Sequence, residues 1–473
     1  MRKRRPRADL RRAAGTVAIL AALVSPAMAE SPATRPPSQS REEVNLATFD
    51  RAWSLIADTH WDPTLGGLDW AAVRDELRPK AGDATNDREL RRVIEEMLAR
   101  LGQSHFALLP DPATDDPTST SDEDAGGLPG CSAARSAEIF AAMERRHSGD
   151  GDPGLELRLL DRDQVVVTRV VAGTPAAAAG VRTGWRLLAI DGAPLERSLE
   201  CIRRVDDVAF QRQIEISWLR GLLAGPAGSD VRARFHGGSH RELVLRRAPP
   251  PGEVVRFGNL PPAALQFERT SAETRQRARV AVVRFNIWLP PVSAAFESAM
   301  SELRAADGVV IDLRGNPGGV SAVAQGVAGH FVAETISLGT MKGRRDHLEL
   351  VAQPRRVARD GSTVEPYGGP LAILIDEGSA STSELFAAGL RDHDRARLFG
   401  SPSAGAALPA VMDRLPNGDV FMHASMDYIR PNGERVEGRP VVPDVTTPLR
   451  RADLRAGTDA ALEAALSWID EEL

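Results

Sequence analysis

Two apolar runs constrain this chain more than any other feature: GVVIDLRGN at 308–316 and GPLAILID at 369–376. Each is an unbroken row of aliphatic side chains that ends abruptly in polar residues and glycines. A strand with one wet face alternates apolar and polar residues, whereas an unbroken row must be covered on both faces. Helical patterns stand between and around these runs: PVSAAFESAMSELRAA, GVSAVAQGVAGHF and TSELFAAGLRD. A further strand, RVAVVRF, precedes them. Strand–helix alternation of this kind predicts an α/β fold with a mainly parallel, helix-covered sheet over about residues 270–455. Ligands on such sheets sit beyond the carboxyl ends of the strands. Both RGNPGG and DEGSAS lie at such ends.

With 473 residues, the chain is too long for one core, and its texture changes along its length. MRKRRPRADLRR, then AAGTVAILAALV, then SPAMAE reads as a signal peptide over 1–29 with cleavage after Ala29, which implies export. No later run is apolar enough for a membrane span, so none is expected once the signal is cleaved. A polar linker covers 30–44. Residues 45–110 carry helical periodicity, clearest in DRELRRVIEEMLARLG, where Val93, Ile94, Met97, Leu98 and Leu101 form one stripe that Gly102 closes. Residues 111–130 are acidic, poor in large apolar side chains, and read as a linker. Over 150–250, LELRLL, DQVVVTRVVAG, WRLLAIDG, VRARFHG and HRELVLRRA are short strands around the small helix TPAAAAGV, which makes a small mixed β module. Residues 456–473 form a terminal helix. Cys131 and Cys201 are the two cysteines, and export permits a disulfide between them. The formal net charge of −6 argues against a nucleic-acid partner.

DEGSASTSELF poses the chemical question. A strand-to-helix junction can hold a serine hydroxyl near backbone N–H groups that stabilise developing negative charge. Ser379, Ser381 and Ser383 all qualify, and residue physics alone does not choose among them. A serine also needs a base and an orienting group from elsewhere. HExxH, CxxC and GxxxxGK[ST] are absent, so no metal or cofactor is expected.

GSASTSELFAAGL resembles the nucleophile region of the S41 serine peptidases, VVIDLRGNPGGV their DLRxNPGG segment, and RVEGRPVVPDV a segment near the end of their catalytic domain. VVAGTPAAAAGVRTGWRLLAIDG is similar to the core of a PDZ domain, their usual companion. The order matches as well, over about residues 45–455. The resemblance implies a serine endopeptidase acting on proteins or protein tails, with Ser381 as nucleophile. Backbone N–H groups of Thr382 and of Gly318 or its neighbour Gly319 would form the oxyanion hole. The branch with a Ser–Lys dyad places Lys and Gln where GSPSAGAALPA has Ala406 and Ala410, and neither Lys80 nor Lys342 lies in that motif. The tricorn-like branch uses a histidine after the amino-terminal helices, and LARLGQSHFALLP resembles that segment. It implies His105 as base and Ser104 as a bridge to an acid, Glu437 or its neighbour Glu434. His330, His393 and His423 lack such support. The PDZ resemblance implies peptide binding beside Gly154, Leu155, Glu156 and Leu157. Competing readings are a catalytically inactive peptide-binding protein and an esterase-like hydrolase. The family resemblance also favours a periplasmic or secreted location; oligomeric state is not legible.

Overall fold

The computed structural model describes residues 40–110, 128, 130–148, 150–160, 164–205, 208–258 and 262–473. The signal peptide, most of the 30–44 linker and nearly all of the 111–130 linker lie outside the described residues.

Three helices, Arg41–Thr59, Trp70–Asp83 and Asp87–Ala99, open the described chain. Ser40, Asp69 and Asn86 each accept a backbone N–H of the first turn, supplying partners that a helix start otherwise lacks. The stripe on Asp87–Ala99 buries Leu90, Ile94, Met97 and Leu98 against the other two helices. Each such side chain contributes roughly 1.5–3 kcal/mol of burial. The same cluster takes in Leu408, Leu415, Phe421 and Ala424 from more than 300 residues away. Strand Ala107–Leu109 adds antiparallel to Val420–Ala424, which pairs in turn with Ala410–Arg414. Arg91 clamps Asp419 through two bonds of 2.8 Å, both side chains nearly buried. The helical region is therefore stitched to the carboxyl-terminal third by a sheet, a shared core and a buried ion pair.

A second cluster surrounds an antiparallel sheet in the order Leu155–Leu160, Gln164–Val170, Arg186–Ile190, Asp230–His236, His240–Arg246. Helices Ala133–Ser148, Leu195–Ile202 and Val208–Gly221 belong with it. Cys131 and Cys201 form a disulfide. Leu155–Leu160 is an edge strand of this sheet.

The largest cluster lies on one face of a six-stranded sheet ordered Phe267–Glu273, Arg279–Phe285, Gly308–Asp312, Leu371–Ile375, Arg397–Gly400, Val445–Thr446. Val309, Ile311, Leu371, Ile373 and Ile375 face this cluster, with helices Pro291–Arg304, Ser321–Ala328 and Thr382–Asp392 over them. Val310, Ala372 and Leu374 face the other way, under helix Ala460–Glu472. Burial on both faces accounts for the unbroken apolar runs.

The expectation of a mainly parallel architecture is overturned. Among the described residues four strand pairings are parallel, all inside this six-stranded sheet. The other eleven are antiparallel, including the edge pairing of Phe267–Glu273 with Arg279–Phe285. The physical reason is connection length. Parallel neighbours need long crossovers, and those helices were visible in the sequence. Hairpins such as Ile336–Lys342 with His347–Ala352, and Ala410–Arg414 with Val420–Ala424, need only short polar turns and carry mixed side chains. No described helix is long and apolar enough to cross a membrane.

Candidate active site

Strand Leu371–Ile375 delivers the segment 376–381 to helix Thr382–Asp392, and the three serines part ways there. Ser379 is fully buried: its Oγ donates to the Leu313 carbonyl (2.8 Å) and accepts the Asp376 N–H (3.0 Å). Ser383 is fully buried as well: its Oγ donates to the Asn316 carbonyl (3.0 Å) and accepts the Trp288 indole N–H (2.9 Å). Ser381 is only half-buried, and its hydroxyl, at the cap of helix Thr382–Asp392, donates no hydrogen bond among the described residues. Its backbone sits at φ 52°, ψ −122°, left-handed territory that costs a non-glycine residue on the order of 1–2 kcal/mol. Local bonds hold the strain: Ser381 N–H donates to the Ala406 carbonyl (2.8 Å) and to Glu384 Oε2 (3.0 Å).

Glu384 was missed in the sequence, although Ser381–Glu384 has the S-x-x-E spacing of a helix start. Its carboxyl is buried and accepts from Ser403 Oγ and from the N–H groups of Gly405 (2.8 Å) and Ala406 (3.0 Å), besides Ser381. Burial pushes it up to about 7, against the pull of those four donors.

The NPGG segment comes up against the same junction. A Cβ on Gly318 (φ 102°) would lie 2.6 Å from Ser381 Cβ and 3.0 Å from the Thr382 nitrogen. One on Gly319 (φ 138°) would lie 2.3 Å from the Trp288 carbonyl. The two glycines are not equivalent as donors. Gly318 N–H is already given to Asn316 Oδ1 at 3.0 Å. Gly319 N–H and Thr382 N–H have no partner among the described residues, and Thr382 Oγ1 ties the two segments together by donating to the Gly319 carbonyl (2.7 Å).

On the other side, His105 follows helix Asp87–Ala99 and precedes the Ala107–Leu109 strand, in a left-handed conformation at φ 62°. Its Nδ1 lies 2.7 Å from Ser104 Oγ, which donates to Glu437 Oε2 at 2.8 Å; Ser104 N–H donates to Glu437 Oε1 at 2.7 Å. A hydroxyl has one proton, so with Ser104 giving it to Glu437 the imidazole carries its proton on Nδ1. Nε2 is then the unprotonated nitrogen. Burial pushes this imidazole down to about 4, so it is neutral at ordinary pH. Glu434 is elsewhere: its carboxylate is exposed and bonded to Arg430 and Asn432.

Residues 406 and 407 join the two sides. Ala406 accepts the Ser381 N–H, and Ala407 N–H donates to Glu437 Oε2 at 3.1 Å. Neither Ala406 nor Ala407 brings a titratable side chain to this junction. No hydrogen bond joins Ser381 Oγ to His105 Nε2 here. His423 is bonded to Asp413 and Thr59, His393 to the Ser337 carbonyl, and His330 is buried beside Glu297.

Gly154, Leu155 and Glu156 line a cleft of about 280 Å³ with Asp152, Arg220, Gln266 and Asn286; Leu157 does not. Glu156 is paired with Arg169 and Arg284, and Arg158 on the same strand is paired with Asp376 and Glu377, at the start of the Ser381 segment.

Comparisons with known proteins point the same way. Residues 279–447 match Peptidase family S41, and residues 43–99 match the Tricorn protease C1 domain. A "Probable CtpA-like serine protease" of Staphylococcus aureus (strain bovine RF122 / ET3-1) is 23% identical over 288 residues, 60% of this chain and 50% of the relative. Its namesake in Staphylococcus haemolyticus (strain JCSC1435) is 23% identical over 300 residues, 62% and 51% of the two chains. The chain thus spans about half the length of these curated relatives. The photosystem II D1 C-terminal processing protease superposes with a TM-score of 0.53 at 22% identity, covering 88% of this chain and 98% of that one. Mature CPAF complexed with lactacystin gives 0.56 at 12% identity, covering 91% and 97%. At such identities the likeness is one of fold. The two profile matches, taken with the CtpA-like relatives, show a chain similar to the S41 peptidases, on their CtpA-like, tricorn-related side.

Proposed function

We propose that the protein is an exported serine endopeptidase that hydrolyses peptide bonds through an acyl-enzyme on Ser381. His105 serves as general base and acid, Glu437 orients it through Ser104, and Gly319 and Thr382 N–H groups receive the oxyanion. The observation that carries this reading is the convergence at residues 406–407. A strained serine whose hydroxyl proton is not donated to any described residue lies on one side, and a carboxylate–hydroxyl–imidazole relay with Nε2 unbonded among the described residues lies on the other.

In this mechanism Nε2 takes the Ser381 proton as Oγ attacks the substrate carbonyl carbon. The carbonyl oxygen becomes negative and is met by two backbone N–H groups that are otherwise unused. Each such donor is worth roughly 10²–10³ in rate. The imidazolium keeps its Nδ1 proton on Ser104 Oγ, whose own proton stays toward Glu437, so the carboxylate stabilises the positive ring without accepting a proton. The ring then protonates the leaving amine. The C–N bond breaks, and a water activated by the same nitrogen releases the acid. The missing Ser381–His105 hydrogen bond fits a substrate-free site, where such contacts are often long.

The domain division read from the sequence stands as part of the proposal: helical region 45–110, PDZ-like module 150–250, peptidase region 270–455 and terminal helix 456–473. Substrates would be unfolded proteins or protein tails in the periplasm or outside the cell. The edge strand Leu155–Leu160 and the cleft at Gly154–Glu156 suit an extended peptide end, with Arg220 offering a cation to its carboxylate.

A fluorophosphonate probe on the mature chain tests the reading. Labelling of the wild type, lost in S381A and in H105A, together with casein hydrolysis, is expected. Absence of labelling in folded wild-type protein that still binds peptides would favour the inactive binder. Hydrolysis of simple esters but not of casein would favour the esterase.

A further inference from the structure

Ser104 and His105 stand on a turn with little backbone support. Gly102 (φ 58°) and His105 (φ 62°) are both left-handed, and residues 103–105 make no backbone–backbone hydrogen bond among the described residues. A strained turn without a backbone ladder keeps one geometry only where its surroundings over-determine it. Glu437 holds it at Ser104, through the N–H and the hydroxyl. The residues on either side of that dipeptide are held by a second group, the His60 imidazole, which the relay does not use.

His60 is fully buried. Its Nε2 lies 2.9 Å from Gln103 Oε1, and its ring stacks on Phe106 with centroids 5.9 Å apart and planes 16° apart. One imidazole thus grips the residue before Ser104 and the residue after His105. Gln103 presents its carbonyl oxygen to the ring, so Nε2 carries a proton and donates it to that bond. Nδ1 is met by Asp62, whose N–H (3.1 Å) and carbonyl (2.9 Å) both lie beside it. His60 is itself anchored from outside the turn. It closes helix Arg41–Thr59, with its N–H donating to the Ile56 carbonyl (3.0 Å). Arg344, between strands Ile336–Lys342 and His347–Ala352, donates to the His60 carbonyl and to the Ala57 carbonyl. The support is therefore a fixed point rather than a second loose loop.

We propose that His60 and Gln103 are positioning residues for hydrolysis, which fix the Ser104–His105 turn from the helical side as Glu437 fixes it from the peptidase side. Neither touches substrate or the reacting atoms; both act through His105, so the inference rests on the reading of His105 as the base. A hydrogen bond at one end of the dipeptide and a stacked ring at the other leave the imidazole little freedom to swing. A misplacement of about 1 Å in such a group costs roughly 10²-fold in rate. Glu437 alone, bonded only at Ser104, leaves the turn free to pivot about that residue.

The test uses the whole mature chain, with kcat and KM on a quenched peptide, the rate of fluorophosphonate labelling and melting curves. Q103L removes the acceptor at similar volume, H60F keeps a ring against Phe106 but removes the donor, and Q103E keeps an oxygen facing His60 Nε2. Q103L and H60F are expected to lose tenfold or more in kcat and in labelling rate, with KM within threefold of wild type, and Q103E to recover most of that loss. The H60F/Q103L double variant should be within twofold of the poorer single variant, because both break one contact. Q103L decides the matter if H60F does not fold, since Gln103 is only half-buried. Folded Q103L with kcat within threefold of wild type, or Q103E falling as far as Q103L, overturns the proposal. H105A run alongside keeps the two readings apart: an inactive H105A beside an unimpaired Q103L sinks this inference alone, whereas a fully active H105A sinks the assignment of the base and this inference with it.

Discussion

Replacing Gly318 by alanine is the sharpest test of the site's geometry. The added Cβ would lie 2.6 Å from Ser381 Cβ, 2.9 Å from the Ala380 carbonyl and 3.0 Å from the Thr382 nitrogen. Comfortable carbon–carbon contact is about 3.5–4.0 Å, so the serine must retreat by about 1 Å or the loop must open. A displacement of that size costs roughly 10²-fold in rate, and a disturbed oxyanion donor costs 10²–10³-fold by itself. The φ of 102° adds backbone strain of about 1–3 kcal/mol to stability. Gly361→Ala separates strain from obstruction: its φ is 84°, yet nothing lies within 4 Å of the Cβ position. The assay is kcat/KM on casein or a quenched peptide, with melting curves for all three proteins. G318A is expected to lose at least 100-fold in kcat/KM, and G361A less than threefold. A folded G318A with kcat/KM within threefold of wild type would refute the placement of the oxyanion at the Gly319 and Thr382 N–H groups beside Ser381.

The relay yields a graded series: H105A should abolish hydrolysis, E437A should cost about 10³-fold, and S104A about 10–100-fold, mainly in kcat, because a positioned acid–base catalyst contributes roughly 10²–10⁴. E434A is the matched control and should leave kcat within twofold. The pH profile should follow the buried imidazole. Nε2 must be unprotonated and the group's value is about 4, so activity should be flat near neutrality and fall as pH drops through about 4, not through 6.5; an ascending limb centred at 6.5 in kcat/KM would contradict the burial argument. Removing Asp419 by D419A takes away the bidentate partner of the buried Arg91 and should destabilise the protein by about 3–5 kcal/mol, measured by urea denaturation, with activity falling because the same contact anchors the His105 segment. An exposed-pair control such as E96A, opposite Lys80, should cost less than about 1 kcal/mol.

The carboxyl-terminal sheet was readable because burial on both faces leaves an unmistakable trace, the unbroken runs at 308–311 and 371–375. The hairpins were not, since their strands mix polar and apolar side chains and their pairing depends on partners far away. That is why the parallel content was overstated. The stripe on Asp87–Ala99 and the left-handed Gly102 were legible because helix periodicity and its termination are local. Cys131 and Cys201 could be counted but not paired until the fold set their Cα atoms 5.6 Å apart.

By itself the sequence determined the candidate residue types: a serine-rich turn before a helix and a glycine pair at strand carboxyl ends, and a histidine after the amino-terminal helices. Only the tertiary structure separated the candidates. Ser379 and Ser383 have their hydroxyls bound in the core, Gly318 has its N–H spent on Asn316, and Glu434 points to solvent while Glu437 grips Ser104. The physical reason is range. Periodicity and turn chemistry act over a few residues, whereas a hydrogen bond between Ser104 and Glu437 spans 333 positions of chain and exists only once both cores have closed.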